Sequence, residues 1–148
     1  MFNVRVYGIL IENNRLLLTD EYRLGMLMTK FPGGGLEYGE GTLDCLKREW
    51  IEETGLRINT AEHYYTTDFF QPSYKLPESN QVINIYYLVT AEGTSSLAVT
   101  TIPFDFPELK DGMQRFRWLE LGELNEKLFT LPIDKVVARK LLDDLSGC

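Results

Sequence analysis

From Phe31 to Leu56 the chain reads FPGGGLEYGEGTLDCLKREWIEETGL. Its second half, Thr42 to Thr54, reads as a helix. Thr42 is a candidate N-cap, and Gly55 stands where a left-handed residue would stop it. Leu43, Leu46 and Trp50 fall on one side and make a face to bury against a sheet. Glu49, Glu52 and Glu53 are spaced i, i+3 and i+4, which puts three carboxylates on one face. They also sit at the negative end of the helix dipole. Like charges at i,i+4 cost roughly 0.2–0.5 kcal/mol, and an acid at that terminus about 0.3–1 kcal/mol more. A helix shaped for stability alone would carry Lys or Arg there. Two readings follow. The glutamates form a solvated face, Glu being a good helix former, or they bind a hard divalent cation that removes the repulsion. Spacing alone leaves both open.

Before the helix, Pro32 lacks a backbone donor, and Gly33, Gly34 and Gly35 permit unusual dihedrals and close approach. Val4 to Ile11 and Arg15 to Thr19 are short apolar runs, and Glu12-Asn13-Asn14 between them predicts a hairpin turn. Asp20 to Lys30 reads as a loop. After the helix, strands are expected over about Thr60 to Phe70 and Val82 to Val89, with a loop from Gln71 to Asn80 carrying Pro72 and Pro77. Gly93 to Asp111 is irregular, and Gln114 to Leu119 is a further strand. A short helix over Glu120 to Leu128 and a longer one from Ile133 to Leu145 complete the chain. Strands and helices mix without strict βαβ alternation. The expected fold class is therefore α+β, an α/β/α sandwich with a mixed sheet between helices.

The 148 residues suit a single domain spanning 1–148, with 44% hydrophobic and 25% charged residues, the balance of a globular protein. Val6 to Ile11 is too short to span a membrane, and no basic flank or cleavage site marks a signal peptide, so a cytoplasmic protein is expected. Cys45 and Cys148 show no zinc-like pairing and suit a reducing compartment; Cys45 is expected buried and Cys148 at a frayed end. His63 is the only histidine and lies in a strand-like run, which favours a structural role. With a net charge of −7 and no dense Lys/Arg cluster, a groove for polymeric nucleic acid is not expected. A small phosphorylated ligand is compatible, since a metal ion reverses the local field.

The residues around the glutamates decide between the two readings. Gly34, Glu40, Arg48, Glu49, Glu52, Glu53 and Gly55 occupy all seven fixed positions of one pattern: Gly, five residues, Glu, seven residues, Arg-Glu, a hydrophobe, any residue, Glu-Glu, any residue, Gly, a hydrophobe. The stretch resembles the signature of the Nudix hydrolase family, MutT-like proteins among them, and a chance match is rarer than about one in a million. Trp50 departs from it, standing where the family usually has an aliphatic residue. Altered packing of the helix is expected there, with the chemistry kept.

The resemblance implies attack by water on a phosphorus of a diphosphate, assisted by Mg²⁺ or Mn²⁺. It assigns Glu49, Glu52 and Glu53 as metal ligands, with a backbone carbonyl of Gly33 or Gly34 as a further one. Glu53, Glu52 and Arg48 are the catalytic candidates, Arg48 orienting a carboxylate, Glu52 first, with Glu40 nearby. The general base is either Glu53 or a late-loop acid; Asp105, Glu108 and Glu120 are candidates for that role or for a further metal ligand. Arg23, Lys30 and Glu40 are the substrate-binding candidates. An aromatic from Tyr22, Phe69, Phe70, Tyr74 or Trp118 is a candidate stacking platform; for Trp118 above all, a core role is favoured. Pro72 and Tyr74 echo subgroups with different substrates, and their indications cancel. The implied substrate is a nucleoside diphosphate linked to another moiety, or a nucleoside triphosphate. The expected partners are that small molecule and at most a second copy of the chain, with no membrane. A catalytically silent domain sensing a nucleotide-derived ligand is the alternative, which the intact triad disfavours. An mRNA cap hydrolase is disfavoured by the acidic charge.

Overall fold

The strand-like run ahead of the glycines becomes β1 (Phe2–Glu12). A computed structural model describes residues 1–74 and 79–147; Pro77 of the predicted loop and Cys148 lie outside the described residues. The chain divides into two units, Met1–Leu10 with Pro32–Leu97, and Ile11–Phe31 with the chain from Ala98 onward.

In the first unit β1 pairs in parallel with β6 (Gln81–Glu92), from Phe2 opposite Gln81 to Leu10 opposite Val89. Its other edge pairs antiparallel with β4 (Gly33–Gly35), the strand made by the three glycines. β5 (Arg57–Thr66) lies antiparallel on β6. One parallel pair among antiparallel ones makes the sheet mixed. Helix α1 (Thr42–Thr54) packs on β4 and β5. Cys45, Leu46 and Trp50 supply its buried face. Leu43 does not: it is 43% exposed. Cys45 takes the place expected for Leu43, because the sheet lies nearer that side of the helix. His63, on β5, hydrogen-bonds Thr66 and packs edge-on against Tyr87, a structural role.

In the second unit the expected hairpin forms between the end of β1 and β2 (Arg15–Arg23), with Ile11 opposite Leu16. Asn13 and Asn14 take φ of 53° and 61°, the left-handed conformation a two-residue hairpin turn requires. β2 pairs antiparallel with β8 (Met113–Glu120) and with β3 (Met26–Lys30), and the short β7 (Val99–Thr100) lies parallel to β8. The loop expected over Asp20–Lys30 is thus a strand pair, turned at Leu24-Gly25. Charged residues hid its strand pattern; they are tolerated inside because they pair with one another, as Asp20 does with Arg117 at 2.8 Å. Helix α2 (Pro132–Ser146) starts with proline at its first position and buries Ile133, Val137, Ala138 and Leu141. Two 3-10 turns, Leu121–Glu123 and Glu126–Leu128, replace the single short helix expected there.

The architecture is α+β, a mixed sheet with two α-helices, as the sequence predicts. Among the described residues no helix is long and apolar enough to cross a membrane.

Candidate active site

Helix α1 begins one residue earlier than its side chains suggest. Gly41 is the N-cap, and the Asp44 carboxylate accepts its N–H at 3.1 Å. Thr42 is already helical, and its hydroxyl is 2.7 Å from that of Tyr87. At the other end Gly55 takes φ 74° and donates to the Ile51 carbonyl, the left-handed stop expected. No basic residue stands in the last turn. The compensating charge comes from Arg48, one turn back.

Arg48 grips Glu40 side-on, Nε to Oε2 at 3.0 Å and Nη2 to Oε1 at 2.6 Å. Its Nη1 donates to Glu49 at 2.9 Å and to Glu52 at 3.2 Å, with Glu37 at 3.7 Å. Nη2 also donates to the Gly35 carbonyl at 3.1 Å. Arg48 therefore orients Glu49 and Glu52 while Glu40 locks its own plane. Arg48 reaches Glu52, the carboxylate expected, and holds Glu40 more closely, because two parallel N–H donors match one carboxylate. Side-chain hydrogen bonding to Glu40 leads the causes that hold Arg48 protonated. In return the Arg48 hydrogen bond, then the Glu37 N–H, lowers the Glu40 carboxyl to about 2. Burial, reinforced by the charge of Glu40, raises the Cys45 thiol to about 12, so it is protonated and inert.

The glycines are needed for close approach. A Cβ at Gly33 would run into Val6 and Tyr7 of β1, and one at Gly34 would occupy the space of the Glu49 carboxylate. Glu49 thus lies directly against the Gly-rich strand. Behind it, the Trp50 indole N–H donates to the Pro32 carbonyl at 3.2 Å, and Gly8 N–H donates to the same oxygen at 2.9 Å. The indole fits only because residue 8 is glycine, where a Cβ would stand 2.6 Å from the ring. This is the packing change expected from Trp50.

Glu49 and Glu52 converge on one cationic atom, and the donor set is hard oxygen, which fits a hard divalent cation. Among the described residues no group of three or more His, Cys, Asp or Glu stands as a finished metal cage. Glu53 follows Glu52 on α1 and is partly buried.

The basic and late-loop candidates lie in the second unit. Arg23 and Lys30 both face the buried Glu21 carboxylate, at 3.2 and 3.4 Å, Arg23 with its side chain 48% exposed and Lys30 with 7%. Asp105 accepts from Thr100 and approaches Arg115, while Glu108 and Glu120 are exposed. Trp118 is buried beneath Arg15, a core role. Tyr22 is half-buried on β2; in the first unit Phe69, Phe70 and Tyr74 keep exposed surface. Missed in the sequence were Glu37 and the Gly35 carbonyl, both of which meet Arg48.

The profile of the NUDIX domain matches residues 1–141. None of the curated proteins compared matches the sequence. Among solved structures, the chain is similar to MutT from Aliivibrio salmonicida and Vibrio cholerae, with 20% identity and a TM-score of 0.67 over 97% of this chain and 99% of that one. It is also similar to the ORF135 protein of E. coli, with 16% identity and a TM-score of 0.73 over 99% and 92%. A MutT NUDIX hydrolase from Burkholderia pseudomallei gives 16% and 0.70 over 95% and 98%.

Proposed function

The chain belongs to the Nudix family of hydrolases acting on diphosphate bonds, and on that premise we propose that it cleaves a nucleoside diphosphate linked to another moiety, or a nucleoside triphosphate, with Mg²⁺ or Mn²⁺. Members of the family generally need divalent metal ions. We place it in the cytoplasm as a single domain over 1–148, alone or as a homodimer. The observation that carries the reading is the convergence of Glu49 and Glu52 on Arg48 Nη1, with the Glu49 carboxylate against Gly34.

When bound, the cation neutralises the charge that builds on phosphoryl oxygens and acidifies water. Glu49, Glu52 and Glu53 hold it, with the carbonyl of Gly33 or Gly34. Arg48 keeps two of these carboxylates in place and is itself held by Glu40. Glu53 takes the proton from the attacking water; Asp105, Glu108 and Glu120 are the late-loop alternatives for that step. Water attacks one phosphorus and the bridging P–O bond breaks; a nucleoside diphosphate linked to another moiety then gives two phosphate monoesters, and a nucleoside triphosphate gives a nucleoside monophosphate and pyrophosphate. Arg23 and Lys30 enter the proposal as phosphate contacts, Arg23 with the more accessible charge.

A panel of nucleoside triphosphates, nucleotide sugars and dinucleotides, incubated with Mg²⁺ or Mn²⁺ and assayed for phosphate-containing products, tests this reading. Metal-dependent release of monoesters from at least one compound is expected. Inactivity across the panel with measurable nucleotide binding would establish the sensor instead.

A further inference from the structure

Arg48 spends its donors on carboxylates and a carbonyl, and Arg23 and Lys30 share Glu21. Arg5 is different. It lies on β1 opposite Gly35, with Tyr7 two residues on and on the same face. Its Nε donates to the Tyr7 hydroxyl at 2.6 Å, and its guanidinium carbon stands 5.8 Å from the centre of the Tyr7 ring. Tyr7 is 3% exposed and stacks on Tyr86 at 5.4 Å, so the group orienting Arg5 is itself fixed. A guanidinium has five N–H donors. Among the described residues that one bond to Tyr7 is the only hydrogen bond or ion pair of Arg5, which leaves Nη1 and Nη2 uncommitted.

The free end of the fork has a place to act. Nη1 stands 3.5 Å from where a side chain on Gly35 would begin, so glycine there leaves the space beside it open. One residue back along the same strand, Gly34 holds the Glu49 carboxylate. The carboxylate and the cation thus stand at neighbouring glycines of β4, on opposite sides of the strand, and Glu49 still acts on the charge of Arg5. Tyr7 first, and Tyr74 and Glu49 more weakly, favour the protonated state of Arg5. A structural arginine on a strand would ordinarily have its fork met by a carboxylate or carbonyls; among the described residues this one is aimed by Tyr7 and otherwise unmet.

We propose that Arg5 is a further phosphate-gripping residue of this site, its Nη1 and Nη2 donating to non-bridging oxygens of the diphosphate across Gly35. The assignment rests on the diphosphate-hydrolase reading and adds to it the residue that recognises the anion. Tyr7 is the positioning residue, acting through Nε. A planar fork suits a phosphate better than a point charge does, so lysine is an incomplete substitute.

The test is calorimetric, with Mn²⁺ alone and then with α,β-methylene-ADP, a non-hydrolysable diphosphate, in saturating Mn²⁺. Wild-type protein binds both. Arg5→Gln is expected to keep wild-type Mn²⁺ affinity and thermal midpoint but to bind the analogue about tenfold to a hundredfold more weakly, the loss of a charge-assisted contact. Arg5→Lys should fall between the two. Analogue affinity within twofold of wild type in Arg5→Gln overturns the proposal, as does an equal loss of Mn²⁺ and analogue, which would mark a scaffold role. Should Arg5→Gln fail to fold, Arg5→Lys decides, with wild-type analogue affinity overturning the assignment. A wild-type protein that takes up no analogue even with Mn²⁺ defeats the hydrolase reading itself, and Arg5 with it.

Discussion

At the scale of single residues, the site is a contest between one arginine and four carboxylates. Glu40 wins the fork of Arg48, and this has a pH consequence. Its folded pKa is lowered to about 2, so the stabilisation it contributes is present above the ordinary carboxylate range and is lost as pH falls toward 2. The gap in melting temperature between wild type and Glu40→Gln should therefore be widest near neutrality and close progressively below pH 4.5; a gap that holds constant down to pH 2 would contradict the pairing. Glu53 carries the proposed proton transfer. Glu53→Gln is expected to lower kcat by at least ~10²-fold on an accepted substrate. Turnover near that of wild type would move the base to the late loop. The fixed residues of the signature were legible because they are fixed by spacing along one continuous stretch of chain, Gly34 to Gly55. Arg5 was not, since its partners Tyr7 and Gly35 are brought to it by a strand and by a sheet register.

At the scale of elements, α1 and β1 meet through a matched pair. Trp50 is fully buried, and the absent side chain of Gly8 is what accommodates it. Trp50→Leu should cost about 2–4 kcal/mol, from lost indole volume and the hydrogen bond to Pro32. Gly8→Ala should cost about 1–3 kcal/mol by overpacking against the ring. Made together, the two should cost less than their sum, because leucine vacates the space the new methyl needs. Urea denaturation of the four proteins in the cycle measures this, and strict additivity would show that the ring and residue 8 do not compete. The sequence singled out Trp50 as unusual but offered no view of its counterpart, forty-two positions earlier in the chain.

At the scale of the whole molecule, contacts distant in sequence hold the second unit together. Asp20, fully buried, accepts from Arg117, from the Thr29 hydroxyl and from the Phe104 N–H. Asp20→Ala would leave the Arg117 guanidinium, 4% exposed, without its counter-charge. Such a break costs roughly 3–5 kcal/mol. Chemical denaturation should show that loss, and a change below 1 kcal/mol would mean the pair is dispensable. The same contacts explain why Asp20–Lys30 read as a loop: in sequence its charges look like solvent-facing residues, and only Arg117, ninety-seven positions on, turns Asp20 into an interior one. What the linear chain settled by itself was helix α1 with its three aligned glutamates, its glycine stop, the Asn13-Asn14 turn and the family, because each depends on local spacing or backbone preference. Tertiary structure alone decided which carboxylate holds Arg48, that Glu49 lies against Gly34, and that among the described residues Arg5 keeps an open fork. Those outcomes depend on strand register and burial, which bring together side chains that no local rule pairs.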